Sequence, residues 1–205
     1  MSKEKVQMDP KYIIKLTVTL FLTCCVVAGA LGAINMVTEG PIADINKAKT
    51  EAAMKAVVAD PDGSTFSDAL EITADMAAAA ASAGGSVTEA YEVLVGGAPA
   101  GHALKIVASG SQGSIEMMVG LDADGTVTGV SVVKHSETAG IGTKVMGNEP
   151  NNDGVPVLDQ FIGKSAADGT LSVGSNVTAI TGATVSSKGV TTGVNCALAV
   201  AGVLG

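Results

Sequence analysis

Two short stretches of this chain gather residue types that could hold a ligand or do chemistry. One is Thr181-Gly182-Ala183-Thr184, immediately before the small, apolar run that ends the chain. Small residues let a ligand approach the backbone. Amides at a helix start lack partners within the helix and favour a phosphate. The same residues also read as a plain helix cap built on Thr181. They are not a Walker loop, because no Gly-Lys-Ser/Thr follows. The other stretch is His135-Ser136-Glu137-Thr138-Ala139-Gly140-Ile141-Gly142-Thr143-Lys144, a loop that follows a predicted strand. His135 with Glu137 suggests acid–base work. Glu137 and Thr138 equally suit the polar edge of a ring, with Gly140 and Gly142 leaving space for it. An ordinary surface turn is the third reading. Two possible ligands do not make a metal site, and Cys24, Cys25 and Cys196 have neither metal-ligand spacing nor a disulfide pattern.

The elements that must position these stretches follow from hydrophobic period. From Thr184 to Leu204 the residues Val190, Val194 and Leu198 recur every four, and Ala201 continues the same face. This reads as a helix buried against a sheet, with Cys196 as a core thiol. A second membrane span is the rival reading, weakened by Lys188, Asn195 and the hydroxyl-rich start. Residues 89–95, 102–108, 115–121 and 126–134 read as four strands in two hairpins, joined through Gly96-Gly97-Ala98-Pro99 and Asp122-Ala123-Asp124-Gly125. Helices are expected over 41–59 and 68–83, a short helix over 156–162 with Phe161 as its core anchor, and a further short strand within 172–180. His102 falls in a strand without an evident ligand partner. The expected fold is α+β: an antiparallel sheet with helices packed on one face.

Residues 16–38 carry no charge. At 1.5 Å per residue they are long enough to cross a hydrocarbon core of about 30 Å. A buried core helix, a cleaved signal peptide ending near Ala28-Gly29-Ala30 and a lipoprotein signal at Cys24 fit less well than a retained transmembrane helix. Lys3, Lys5, Lys11 and Lys15 precede the span and place the N-terminus in the cytoplasm by the positive-inside rule. The expected organisation is a cytoplasmic segment 1–15, a transmembrane helix 16–38, a helical linker 39–88 and an extracytoplasmic domain 89–205. Gly29, Gly32 and Ala33 offer a small-residue face to another membrane helix.

Composition narrows the function. The net charge is -8 and aromatic residues are 2% of the chain. All twelve basic residues are Lys. An acidic chain with no guanidinium and few stacking rings argues against nucleic acid as the main partner.

At this point the sequence resembles a known family, the FMN-binding subunits of ion-translocating membrane redox complexes. These are the G subunit of the Rnf complex and its relative, the C subunit of the sodium-pumping NADH:quinone oxidoreductase. The resemblance is closer to the Rnf G subunit. The family's (S/T)-G-A-T motif is matched by Thr181-Gly182-Ala183-Thr184, and its H-x-E-T-P-G-x-G loop by His135 through Gly142. The N-terminal span, Asn35 followed by Thr38 and Ile42, and Phe161-Ile162-Gly163-Lys164 extend the match over nearly the whole chain. Ala139 replaces the usual Pro, and Thr178 stands where the family has Asp.

The resemblance implies an FMN-binding domain with FMN joined to Thr184 by a phosphoester, installed outside the cytoplasm by a flavin transferase. It implies that the loop lies against the flavin, with Glu137 and Thr138 in contact and His135, Gly140 and Gly142 beside them. Thr178, Thr181, Gly182 and Ala183 complete the implied site. Lys144, Lys164 and Lys188 are candidates to face the phosphate or ring, and a solvated Lys is the plain reading of each. Thr184 is then an attachment point, not a turnover residue. The implied function is electron transfer within a ferredoxin:NAD-type ion-translocating complex in the cytoplasmic membrane. The implied partners are the other integral and peripheral subunits, the transferase and membrane lipid. A flavin carrier of another extracytoplasmic redox chain and a non-redox anchored scaffold are the alternative readings.

Overall fold

The computed structural model describes residues 10–204. Lys3, Glu4, Lys5 and Asp9 of the N-terminal segment lie outside the described residues. The chain divides into one unit ending at Lys47 and a second beginning at Ala48. Helix α1 runs from Pro10 to Ala56 without a break. The sequence predicts a span over 16–38 and a separate helix from Pro41, but the two are continuous. Pro41 removes one helix hydrogen bond and crowds the carbonyl one turn back. The Ala- and Lys-rich turns that follow are strong helix formers and carry the helix on.

In the first unit the large apolar side chains from Tyr12 to Ile45 are exposed. Thr17, Thr19 and Thr38 each donate to the carbonyl four residues earlier, and Thr23 to the one three earlier, so their hydroxyls are satisfied within the helix. The helix is long and apolar enough to cross a membrane.

The second unit is built on an antiparallel sheet in the order β1-β2-β3-β4-β5: β1 Ser64–Phe66, β2 Gly85–Val95, β3 Ala98–Ser109, β4 Ser114–Asp122 and β5 Val127–Lys134. The last four are the strands that alternation predicts. Strand β1 has three residues, too few to show a period. The β2–β3 turn places both Gly96 and Gly97 at positive φ, the conformation that two-residue hairpins require.

Helices cover both faces of the sheet, not one. On one face Leu104, Ile106, Ile115, Met117 and Val119 pack with helices α2 (Ala74–Ser82) and α4 (Thr184–Leu204) in the main core. On the other, Val93, Ala103, Met118 and Val133 are covered by Ala53, Met54 and Val57, at and just beyond the end of α1. The Val57 backbone lies directly on the sheet, over the paired glycines Gly120 and Gly129. A Cβ on Gly129 would come within 2.8 Å of Val57 Cα, and one on Gly120 would strike the Val57 carbonyl.

Helix α2 is shorter than the predicted 68–83. The amides of Ser67 and Leu70 donate to the Glu92 and Ala90 carbonyls, so residues 67–70 run beside β2 instead. The helix starts at Thr73, whose hydroxyl caps the Met76 amide. Residues 172–180 form no strand, only a bridge between Val173 and Val177. Residues 156–162 contain a single 3-10 turn, Asp159–Phe161, with Phe161 buried. Helix α4 matches its predicted span and is buried along one side. It lies close on the sheet because Gly189 and Gly193 face the Ser109 carbonyl and the Met117 side chain, where a Cβ would come within 2.6 and 2.5 Å. Cys196 is buried, and its thiol donates to the Ala80 carbonyl at 3.3 Å.

Candidate functional site at the mouth of helix α4

Thr184 is the first residue of α4, and both Thr184 and Val185 are exposed. The chain reaches this point through a tight turn. Gly182 adopts φ +83°, a left-handed conformation that suits glycine, and the Ala183 amide donates to the Ile180 carbonyl at 3.0 Å. Ala183 itself is buried and seats the turn. The first-turn amides of Thr184, Val185 and Ser186 have no hydrogen-bond partner among the described residues. An exposed hydroxyl beside free amides, at the positive end of a long helix, fits a phosphate ester.

Thr181 does not act as the cap. Its hydroxyl and its amide both donate to Asn152 Oδ1, at 2.8 and 3.2 Å. Asn152 is presented by a compact turn. The buried Asn151 side chain accepts from the amides of Asp153 and Val155, and Pro150 pairs with Pro156 across the loop. The Thr178 backbone is held on both sides by one amide side chain. Its N–H donates to Gln160 Oε1 at 2.8 Å, and its carbonyl accepts from Gln160 Nε2 at 3.0 Å. Sequence reasoning missed Asn151, Asn152 and Gln160. The Asn-Asn-Asp-Gly run between two prolines signals a turn, but nothing in it points to Thr181. Gln160 carries no signal at all.

The second stretch folds towards the same place. Glu137 is buried, and its carboxylate is turned into the protein. Oε1 accepts from the amides of Ser111 and Gln112 in the β3–β4 turn, at 2.7 and 3.2 Å, and Oε2 accepts from the Ser186 hydroxyl in the first turn of α4. Burial pushes this carboxyl up. The Ser186 hydroxyl, the two amides and the nearby His135 outweigh burial and hold it below the usual carboxylate range. His135 is half-buried, and its Nδ1 accepts from the Glu137 amide at 3.2 Å.

Two glycines make room for the carboxylate. A Cβ on Gly110 would strike Glu137 Oε1, and one on Gly142 would sit 2.5 Å from Oε2 and 2.9 Å from Ser186 Oγ. Thr138 is exposed, and its carbonyl accepts from the amides of Ile141 and Thr143. Gly140, at φ +76°, donates to the Thr143 hydroxyl and closes the loop before helix α3, Gly142–Met146.

The structure therefore brings Glu137 and Gly142 to Ser186, two residues beyond Thr184. Asn152 and Gln160 hold the segment that leads into the motif. Lys144 and Lys188 are exposed, Lys164 is half-buried, and none of the three forms an ion pair among the described residues.

An exposed threonine at a helix mouth is carried here by a sheet-and-helix domain that follows a long apolar helix. The family model for the FMN-binding domain matches residues 110–199, which include both stretches. The G subunit of the Na(+)-translocating ferredoxin:NAD(+) oxidoreductase complex of Acetobacterium woodii is 35% identical, over 97% of this chain and 96% of its own. The G subunit of the ion-translocating oxidoreductase complex of Methanosarcina acetivorans is 30% identical, over 89% and 90%. The corresponding protein of Vibrio atlanticus is 39% identical over a shorter stretch, 27% of each chain. This chain belongs to the family of FMN-binding G subunits of ion-translocating oxidoreductase complexes. The apolar helix and this family together fit a single-pass membrane protein.

Proposed function

We propose that this chain is an electron-transfer component of a ferredoxin:NAD-type ion-translocating complex and carries FMN as a phosphoester on Thr184. The observation that carries the reading is the exposed Thr184 hydroxyl beside free first-turn amides, within a motif of the right composition. The ferredoxin:NAD type rests on the name of the Acetobacterium relative. An extracytoplasmic domain rests on the Lys bias ahead of the span.

Attachment needs an activated donor, a flavin joined through a pyrophosphate to a nucleotide. The Thr184 oxygen bonds to the flavin-side phosphorus, the pyrophosphate linkage breaks and a nucleoside monophosphate leaves. The hydroxyl proton passes to water, and no electrons change hands. A transferase supplies this step, which is why no general base is required in this chain. Once attached, the isoalloxazine ring supplies the redox chemistry. The α4 amides would hold the phosphate, while Asn152 and Gln160 fix the approach of the motif and the Glu137 loop supports the first turn of α4. The other subunits of the complex are the electron partners, and coupled ion movement belongs to the assembly.

The test is a denaturing gel of protein purified from its own membrane. A band fluorescent under ultraviolet light, lost in Thr184→Ala, and an intact mass raised by one FMN residue are the expected results. An unmodified mass would overturn the reading.

A further inference from the structure

We infer that Glu137 is a positioning residue for the turn that bears Thr184, acting through Ser186 and not by touching the flavin. The inference rests on the Thr184 reading.

Glu137 is the one acidic side chain among the buried described residues. An uncompensated buried carboxylate is expensive. No lysine pairs with this one among the described residues, and its hydrogen bonds come from neutral donors. A hairpin and a loop could be joined more cheaply by an apolar contact, so the charge needs a reason. Its geometry supplies one. The two carboxylate oxygens join three chain segments far apart in sequence: the β3–β4 turn, the loop after β5 and the first turn of α4. Gly110 and Gly142 are the residues whose Cβ atoms would collide with it, so the surrounding backbone is shaped around this group.

The bond to α4 falls on Ser186, whose own amide is among the free ones at the helix mouth. A hydroxyl can donate only one proton, and Ser186 gives it to Glu137. That fixes the rotation of the first turn about the helix axis, and with it the direction in which Thr184, two residues earlier, faces solvent. The carboxylate points inward, and its hydrogen bonds are all made within the protein.

The test is the rate of flavin attachment to the full chain in detergent, with flavin adenine dinucleotide and the transferase, for Ser186→Ala, Glu137→Gln and the double variant. Met118→Val serves as the control for loss of stability: it lies on the opposite sheet face and would be compared at matched unfolding temperature. Each single variant is expected to lower kcat for attachment about tenfold with KM little changed, as a misaimed nucleophile would. The double variant should be no slower than Ser186→Ala, and Met118→Val should match the wild type.

Attachment at the wild-type rate in Ser186→Ala would overturn the inference, and so would a full additional loss when Glu137→Gln is added to it. Ser186→Ala decides alone should Glu137→Gln fail to fold. A wild-type chain that takes no flavin at Thr184 would overturn the Thr184 reading itself. Normal wild-type attachment with an unaffected Ser186→Ala would overturn only the positioning role.

Discussion

The Val57 carbonyl accepts a hydrogen bond from Thr128 Oγ1 at 2.6 Å, across 71 positions of sequence, where Gly120 and Gly129 pair between β4 and β5. The segment that leaves α1 is thus seated in a notch made by two missing side chains. Gly129→Ala is expected to lower stability by about 1–3 kcal/mol through overpacking against Val57. Thermal unfolding of the full chain in detergent, with Gly202→Ala as an uncrowded comparison, reads the effect.

Glu137 should make the domain sensitive to acid. Its carboxyl is held below the usual range in the folded state by Ser186, Gln112, Ser111 and His135, against the opposing effect of burial. A depressed folded pKa adds stability above the unfolded value of about 4.3 and loses it as pH falls through the folded one. The gap in urea midpoint between wild type and Glu137→Gln should therefore narrow steadily from pH 6 to pH 3. A gap independent of pH would show that folding leaves this carboxyl's pKa unshifted.

Tyr91 gives a prediction of opposite sign. Burial and its hydrogen bond to Glu89, at 2.6 Å, push the phenol up to about 12. In a Tyr12→Phe background Tyr91 is the remaining tyrosine, so phenolate absorbance reports it alone. Its midpoint should lie near 12 and fall in Glu89→Gln. A raised folded pKa contributes stability below the unfolded value of about 10, lost as pH rises through the folded one.

Asn152→Ala removes the acceptor shared by the Thr181 amide and hydroxyl. The contact is exposed, so water can replace it and the stability loss should be about 0.5–1.5 kcal/mol. The sharper readout is amide exchange. Thr181 should exchange faster in the variant, while the Thr178 amide, held by Gln160, should keep its protection.

The sheet was legible where alternation ran long enough to count. Strands β2 to β5 and helix α4 follow from period and turn residues alone. What was not legible depended on tertiary context. Gly40-Pro41 reads as a boundary, yet α1 passes through it because the turns beyond favour helix. Covering of the second sheet face required knowing that Gly120 and Gly129 fall opposite each other, a matter of register. In the sequence the motif singles out Thr184 and the loop singles out Glu137. The inward turn of the Glu137 carboxylate was hidden, because its partners Ser111, Gln112 and Ser186 lie far away in sequence and two of them contribute only backbone amides.

Thr184 and Val185 face solvent. An electron carrier esterified there would meet dissolved dioxygen as readily as its redox partners. Shielding then falls to neighbouring subunits, so the isolated reduced chain should reoxidise in air faster than the same chain within its membrane assembly.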